Sequence, residues 1–247
     1  MSGPTREATS AAALIDDGLA ADLAAASLML ARRFAAGATL WCLAPSWEPH
    51  ANHVAVEFVH PVVVGKKALP AVALTGPDLV STVRVSVRPG DVVVAVASAA
   101  DPAVRSVMRR SPAWGVSTLW IGSGPRPPAG SADHVLWLDD PDPRLPATGG
   151  FVLLYHLLWE LTHVCFEHPG LLSEPVPECT DEVCVTCSDE GRLAEVIEPA
   201  IGGRSLVRTA EGEETVDTML VDPVEAADLL LVHAGMAISK VDEELDR

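Results

Sequence analysis

Aromatic side chains are scarce in this 247-residue chain, 4% of the total, with Tyr155 as the one tyrosine. Basic ones are scarce as well: 17 Lys and Arg stand against 34 Asp and Glu, a net charge of −17. A phosphate backbone or an anionic leaflet is held by a Lys/Arg surface, so neither nucleic acid nor membrane is an expected partner. A basic protein partner suits the charge, as does plain solubility. No run of about 20 apolar residues stands out, and no membrane span is expected. Residues 1–10 are polar, without the apolar stretch of a secretory signal. Cysteine numbers only five, an odd count at irregular spacing. That argues against a disulfide framework and fits a reduced, cytoplasmic chain whose thiols pack or bind metal.

What is present is apolar bulk: 49% of the residues, enough for one large core or two modest ones. Residues 10–36, rich in Ala and Leu, read as one long amphipathic helix interrupted by Asp16, Asp17 and Asp22. Short apolar strands at 39–44, 68–75, 92–98, 117–122 and 134–138 alternate with helical stretches. Those stretches are 49–64, broken by Pro61, 102–110, capped by Asp101, and the strongly apolar 151–166. Alternation of this kind predicts an α/β domain, a parallel sheet covered on both faces, over residues 1–172. The prolines of residues 173–182 predict a stiff linker. From 183 to 247 the pattern changes to short strands at 193–198, 205–209, 215–221, 228–233 and 236–241, split by Gly202-Gly203 and Glu211-Gly212. That predicts a small antiparallel β-barrel domain with a charged tail at 242–247.

The run Asp228-Leu-Leu-Leu-Val-His233-Ala-Gly235-Met-Ala-Ile238 places a histidine at a tight turn between two strands. Upstream stands Cys184-Val-Thr-Cys187, a pair able to present two sulfurs to one ion. Asp181 and Glu182 precede it and oppose thiolate formation. The segment from Ala226 to Ile238 resembles the signature of the HypC/HupF hydrogenase-maturation chaperones, a run close to G-D-Y-V-L-V-H-A-G-F-A-I followed by an acidic tail, here Asp242-Glu-Glu-Leu. The resemblance covers about residues 183–247. It implies a small barrel that helps carry the iron centre of [NiFe] hydrogenases, an Fe(CN)2CO fragment bearing cyanide and carbon monoxide. The family's essential cysteine stands just after the initiator Met, a few residues before a Pro-Gly. Here the position is internal: Cys187, four residues before Gly191, fits that spacing within one residue, and Cys184 is the alternative. The family's Pro is missing and a second cysteine has appeared. A soft thiolate suits low-valent iron with strong-field ligands. His233 then ligates, donates a hydrogen bond to the thiolate, or holds the turn.

The first domain resembles the sugar isomerase (SIS) family, and phosphoheptose isomerases in particular. The matching residues are Gly37-Ala-Thr-Leu-Trp41, His53-Val-Ala-Val-Glu57-Phe58, 68–75, Arg88-Pro-Gly-Asp91, Ala132-Asp-His134 and His156-Leu-Leu-Trp-Glu160. The resemblance implies a three-layer SIS-type sheet that self-associates as a homo-oligomer. It also implies that His53, Glu57 and His156 match residues that bind zinc or move protons. The family's fourth ligand, a Gln, falls near Thr148. His53 and Glu57 lie four apart on one helix face, and His156 and Glu160 repeat the spacing. His163, Cys165, Glu167 and His168 add donors downstream, while Cys42 reads as core.

The family's two phosphate loops are degraded. Leu43-Ala-Pro-Ser-Trp47 replaces a glycine-rich loop, Pro45 has no amide hydrogen, and Trp47 stands where a serine would bind. Ala97-Ser-Ala-Ala-Asp101 has lost its glycine and gained an anion. The reading is therefore an accessory protein of [NiFe]-hydrogenase maturation, with a non-catalytic SIS-like platform. Its iron is transient cargo on Cys184, Cys187 and His233, and zinc is a candidate on His53, Glu57 and His156. The expected partners are the scaffold protein that builds the iron fragment and the hydrogenase large-subunit precursor. The alternative is a metal-dependent phosphosugar isomerase in which Glu57 and His156 move protons between adjacent carbons.

Overall fold

In a computed structural model the residues described are 15–138, 148–173, 191–221 and 223–241. Helix α1 (Asp17–Ala35) starts where the Asp16 carboxylate accepts a 2.7 Å hydrogen bond from the Leu19 amide. The sequence reading treated Asp16 as an interruption of a helix from residue 10. It is instead the cap, and Ile15 and Asp16 are not helical. Strand β1 (Leu40–Leu43), α2 (Glu48–Val59), β2 (Ala71–Leu74), α3 (Leu79–Ser86), β3 (Val92–Val96), α4 (Pro102–Arg110), β4 (Ser117–Ser123), β5 (His134–Leu138) and α5 (Thr148–Glu167) follow. Helix α2 stops at His60 because Pro61 disfavours a helical residue before it. Helix α3, launched by Asp78, was not anticipated: its β-branched residues mask a helix that Leu79 and Val83 bury.

The five strands are all parallel, in the order β2-β1-β3-β4-β5. Alternate side chains serve opposite faces. Leu40, Cys42, Val92, Val94, Leu119 and Ile121 pack with α1, α2 and α5. Leu43, Val93, Ala95 and Trp120 pack with α3 and α4. This is the three-layer sheet domain expected of an SIS-type chain. Helix α5 corrects the reading of apolar runs: residues Gly149–Glu167 are long and apolar enough to cross a membrane, by length and composition only. Half of that span is buried inside the protein, against the same core as α1.

The second domain is a closed barrel of β6 (Arg192–Ile201), β7 (Arg204–Thr209), β8 (Gly212–Asp217), β9 (Leu229–His233) and β10 (Met236–Lys240), ordered β10-β8-β7-β6-β9. Neighbours pair antiparallel except β8 with β10, which meet in parallel at Asp217 and Met236. The core is small and aliphatic: Val196, Val207, Val216, Leu230, Val232 and their neighbours. Strand β8 runs Gly212–Asp217, not 215–221 as the sequence pattern suggested. Residues Met219 and Leu220 lie in an exposed turn, so the apolar run there is not a strand.

The two domains are docked, not merely tethered. Glu195 of β6 is 1% exposed, and its carboxylate is met by Arg84 Nε at 2.9 Å, Arg110 Nη1 at 2.9 Å and Trp114 Nε1 at 2.8 Å, all from the sheet domain. Arg110 also donates to the Ala227 carbonyl, and Arg208 of the barrel donates to the Arg84 carbonyl. Leu229 completes the apolar cluster of Val83, Val87, Val104 and Trp114, with Leu193 and Val241 packed against it.

Candidate functional site

Helix α2 follows β1 and presents His50, His53 and Glu57 on one face, since offsets of three and four residues return to the same side. Helix α5 brings Tyr155 and His156 against that face. Glu57 Oε1 lies 3.2 Å from His53 Nε2 and 3.2 Å from His156 Nε2, and the two Nε2 atoms are 3.3 Å apart. Three lone-pair atoms this close need a proton or a cation among them. A tetrahedral zinc with bonds of about 2.0–2.1 Å spaces its donors ~3.3 Å apart, so the cluster has the dimensions of three corners of such a site. The side chains of His53 and His156 are 39% and 44% exposed, so a fourth position would face solvent. Two imidazoles and a carboxylate suit zinc, which supplies a Lewis-acidic centre when bound.

Behind the triad stands a relay that the sequence reading missed. The Tyr155 hydroxyl lies 2.8 Å from His53 Nδ1 and 3.4 Å from His50 Nδ1. Tyr155 is fully buried, and burial, reinforced by the Glu57 charge, pushes its pKa up to about 12. Burial, with the neighbouring His53, lowers the His50 pKa and keeps that ring neutral. Both residues had a signal: His50 shares the α2 face with His53 and Glu57, and Tyr155 is adjacent to His156.

The remaining donors are used elsewhere. Glu160, half exposed, faces Lys66 at 3.9 Å, and Glu167 holds the same amine at 2.8 Å, so neither joins the triad. His163 is buried between the Trp159 carbonyl at 2.9 Å and the Lys67 carbonyl at 3.0 Å. Burial raises the thiol pKa of Cys42 and of Cys165, so both stay protonated. The sequence reading of Cys42 as core holds: it is buried in β1. The Thr148 side chain, Cys179, Cys184 and Cys187 lie outside the described residues.

Residues 43–47 and 97–101 sit at the carboxyl ends of β1 and β3, where an open α/β sheet places its ligand crevice. The Asp101 carboxylate accepts from the Ala103 and Val104 amides, both at 3.1 Å. It therefore occupies the helix N-terminus that a phosphate would use. Trp47 packs its ring on Phe151, 5.4 Å between centroids.

In the barrel, Ala234 and Gly235 take φ of 48° and 79°, turning β9 into β10 with His233 opposite Met236. The Asp228 carboxylate accepts from the Glu225 amide and from Lys240, both at 2.8 Å, and closes the far end of the hairpin. The hairpin, the barrel strands and the Asp228–Lys240 clasp all fall within one matched stretch. Residues 191–246 match the HupF/HypC family.

The HupF/HypC match starts just before β6 and takes in every barrel strand. Solved structures similar to the chain include a phosphoheptose isomerase from Francisella tularensis, at 15% identity and TM-score 0.49, covering 62% of this chain and 87% of that one. Another is a phosphoheptose isomerase from Neisseria gonorrhoeae, at 16% identity and TM-score 0.49, covering 58% of this chain and 86% of that one. A third is the sugar isomerase domain of an RpiR transcription factor from Sphaerobacter thermophilus, at 21% identity and TM-score 0.45, covering 62% and 81%. No curated protein matches the chain.

Proposed function

We propose that this protein is an accessory factor of [NiFe]-hydrogenase maturation. Its HupF/HypC-type barrel handles the Fe(CN)2CO fragment or chaperones the large subunit, and its sheet domain is a non-catalytic platform. The observation that carries the reading is the family match over 191–246, coincident with a complete barrel. The iron fragment is cargo, held by a thiolate of Cys187 or Cys184, with His233 in support. The partners are the scaffold that builds the fragment and the large-subunit precursor, met in the cytoplasm by a homo-oligomer joined through the sheet domain. The protein purified without oxygen from a hydrogenase-producing host is expected to give infrared bands of bound CO and CN and to capture the large-subunit precursor. A Cys184→Ala/Cys187→Ala variant that still supports full hydrogenase maturation ends the thiol role.

The cluster of His53, Glu57 and His156 favours one addition: the platform holds a zinc ion without turning over phosphosugar. The Asp101 carboxylate already takes the amides at the start of α4, which speaks against an anion bound there. Turnover of heptose or hexose phosphates by the zinc-loaded protein would restore the isomerase reading, with Glu57 and His156 as proton carriers.

A further inference from the structure

The described part of the barrel exposes four large apolar side chains, Met219, Leu220, Met236 and Ile238, the first two by 72% and 69%. Apolar residues scattered singly over a surface are ordinary. These four share one seam, and a shared patch marks a contact surface.

The seam is the parallel junction of β8 and β10. One register pair, Asp217 with Met236, joins the strands, and the Asp217 amide donates to the Gly235 carbonyl at 2.9 Å. Both chains leave that pair in the same direction, so Met219 and Leu220 of one and Ile238 of the other extend from the same end of the junction. The turn is held in place. The Met219 amide donates to the Asp217 carboxylate at 3.0 Å, and the Thr218 amide donates to the Gly203 carbonyl at 2.8 Å. The Met219 Cγ lies 2.6 Å from where a Cβ on Gly203 would stand, so the side chain rests across that glycine.

Beyond Met236, the edge of β10 that faces β8 has no further ladder partner among the described residues. Its other edge pairs with β9 as far as Lys240 and Leu230, with a bulge between Ala237 and Ser239. A free strand edge accepts an extended segment through backbone hydrogen bonds, and the side chains beside it set the preference. Methionine suits such a surface, because its flexible thioether fits different apolar shapes.

Charge selects the occupant. Among the described residues, the ion pairs of the barrel engage Glu195, Glu211, Glu214 and Asp228, and leave Glu213 and Asp217 of β8 without one. A second copy would bring the same carboxylates and its own net charge of −17 against them. An apolar segment flanked by Lys or Arg matches both the side chains and the charge.

We propose that the β8–β10 seam docks an extended apolar segment, flanked by Lys or Arg, of the hydrogenase large-subunit precursor. The identity of the partner rests on the maturation reading; the surface does not. A subunit that has yet to receive its metal leaves apolar segments unburied, because metal binding and folding are coupled.

Binding of the purified precursor to the full chain, measured by biolayer interferometry, tests it. Wild type is expected to bind, more weakly as salt rises. Met219→Ser/Leu220→Ser/Ile238→Thr is expected to lose at least tenfold in affinity, about 1.4 kcal/mol, while keeping the infrared bands of CO and CN and the wild-type thermal transition. Leu220→Lys alone, on an exposed turn, is expected to weaken binding by about threefold or more and decides the matter if the triple variant unfolds. Val64→Ser, which removes an exposed apolar side chain from the sheet domain, is expected to bind like wild type. Wild-type affinity retained by the folded variants, equal loss in Val64→Ser, or salt-independent binding each overturns the proposal and leaves the maturation reading standing. A wild-type oligomer that dissociates in the triple variant puts a second copy on the seam and overturns it too. Absence of precursor binding by wild type also overturns it, and if the infrared bands are missing as well, the maturation reading falls with it.

Discussion

Glu57 illustrates how much a single side chain depends on what stands behind it. Its two imidazole neighbours approach within 3.2 Å, but only one of them, His53, is oriented from the rear by Tyr155. For His53 Nε2 to offer a lone pair, Nδ1 must carry the proton and donate it to the phenol oxygen. The phenol then turns its own hydrogen toward His50. Tyr155→Phe is therefore expected to lower zinc affinity about 10–100-fold, the usual scale for outer-shell partners, in competition with a chelating dye. At the far edge of the sheet, burial lowers the pKa of His134 below 6.5 against the pull of Asp133 and Asp22. The unfolded chain therefore takes up that proton first. The associated stability is complete above pH ~6.5 and is lost as pH falls through the folded value. His134→Gln is expected to flatten part of the decline in urea midpoint between about pH 7 and 5.

Among elements, the β9–β10 hairpin shows a local rule bent by a small residue. Both central turn residues have positive φ, the arrangement that matches strand twist and favours Asn-Gly or Gly-Gly. Ala234 occupies the first of these at φ 48°, where a Cβ crowds its own backbone. Ala234→Gly is expected to stabilise the barrel by up to about 1 kcal/mol, read from thermal unfolding. Strand β8 makes the complementary point. Its position follows from the β7–β8 pairing around Ala210-Glu211, not from the apolar Met219 and Leu220 beyond it. Pairing outranks local hydrophobicity when a strand has one wet face.

At the scale of the molecule, one buried carboxylate joins the two halves. Glu195 lies on the outside of the barrel yet inside the protein, balanced by two arginines and an indole of the sheet domain. Removing its charge leaves those donors facing a neutral group in a buried interface. Glu195→Gln is expected to cost about 3–5 kcal/mol of coupling. The expected readout is a single denaturant transition in the wild type that splits in two in the variant, with faster proteolysis between the domains.

The sequence by itself determined the elements whose periodicity and punctuation agree. The all-apolar Val92–Val96, the Asp101-Pro102 helix start, the Pro61 stop and the Ala234-Gly235 turn all sit where their residues place them. The pairing of His53 with Glu57 was legible for the same reason, because a helix repeats every four residues whatever surrounds it. Tertiary structure alone decided what comes from afar. It brought His156 and Tyr155 to His53 across 102–103 residues of chain, sent Glu160 to Lys66 instead, and buried Glu195 against another domain. Local signals are short-ranged, whereas a site of this kind is made by packing two helices that the sequence separates.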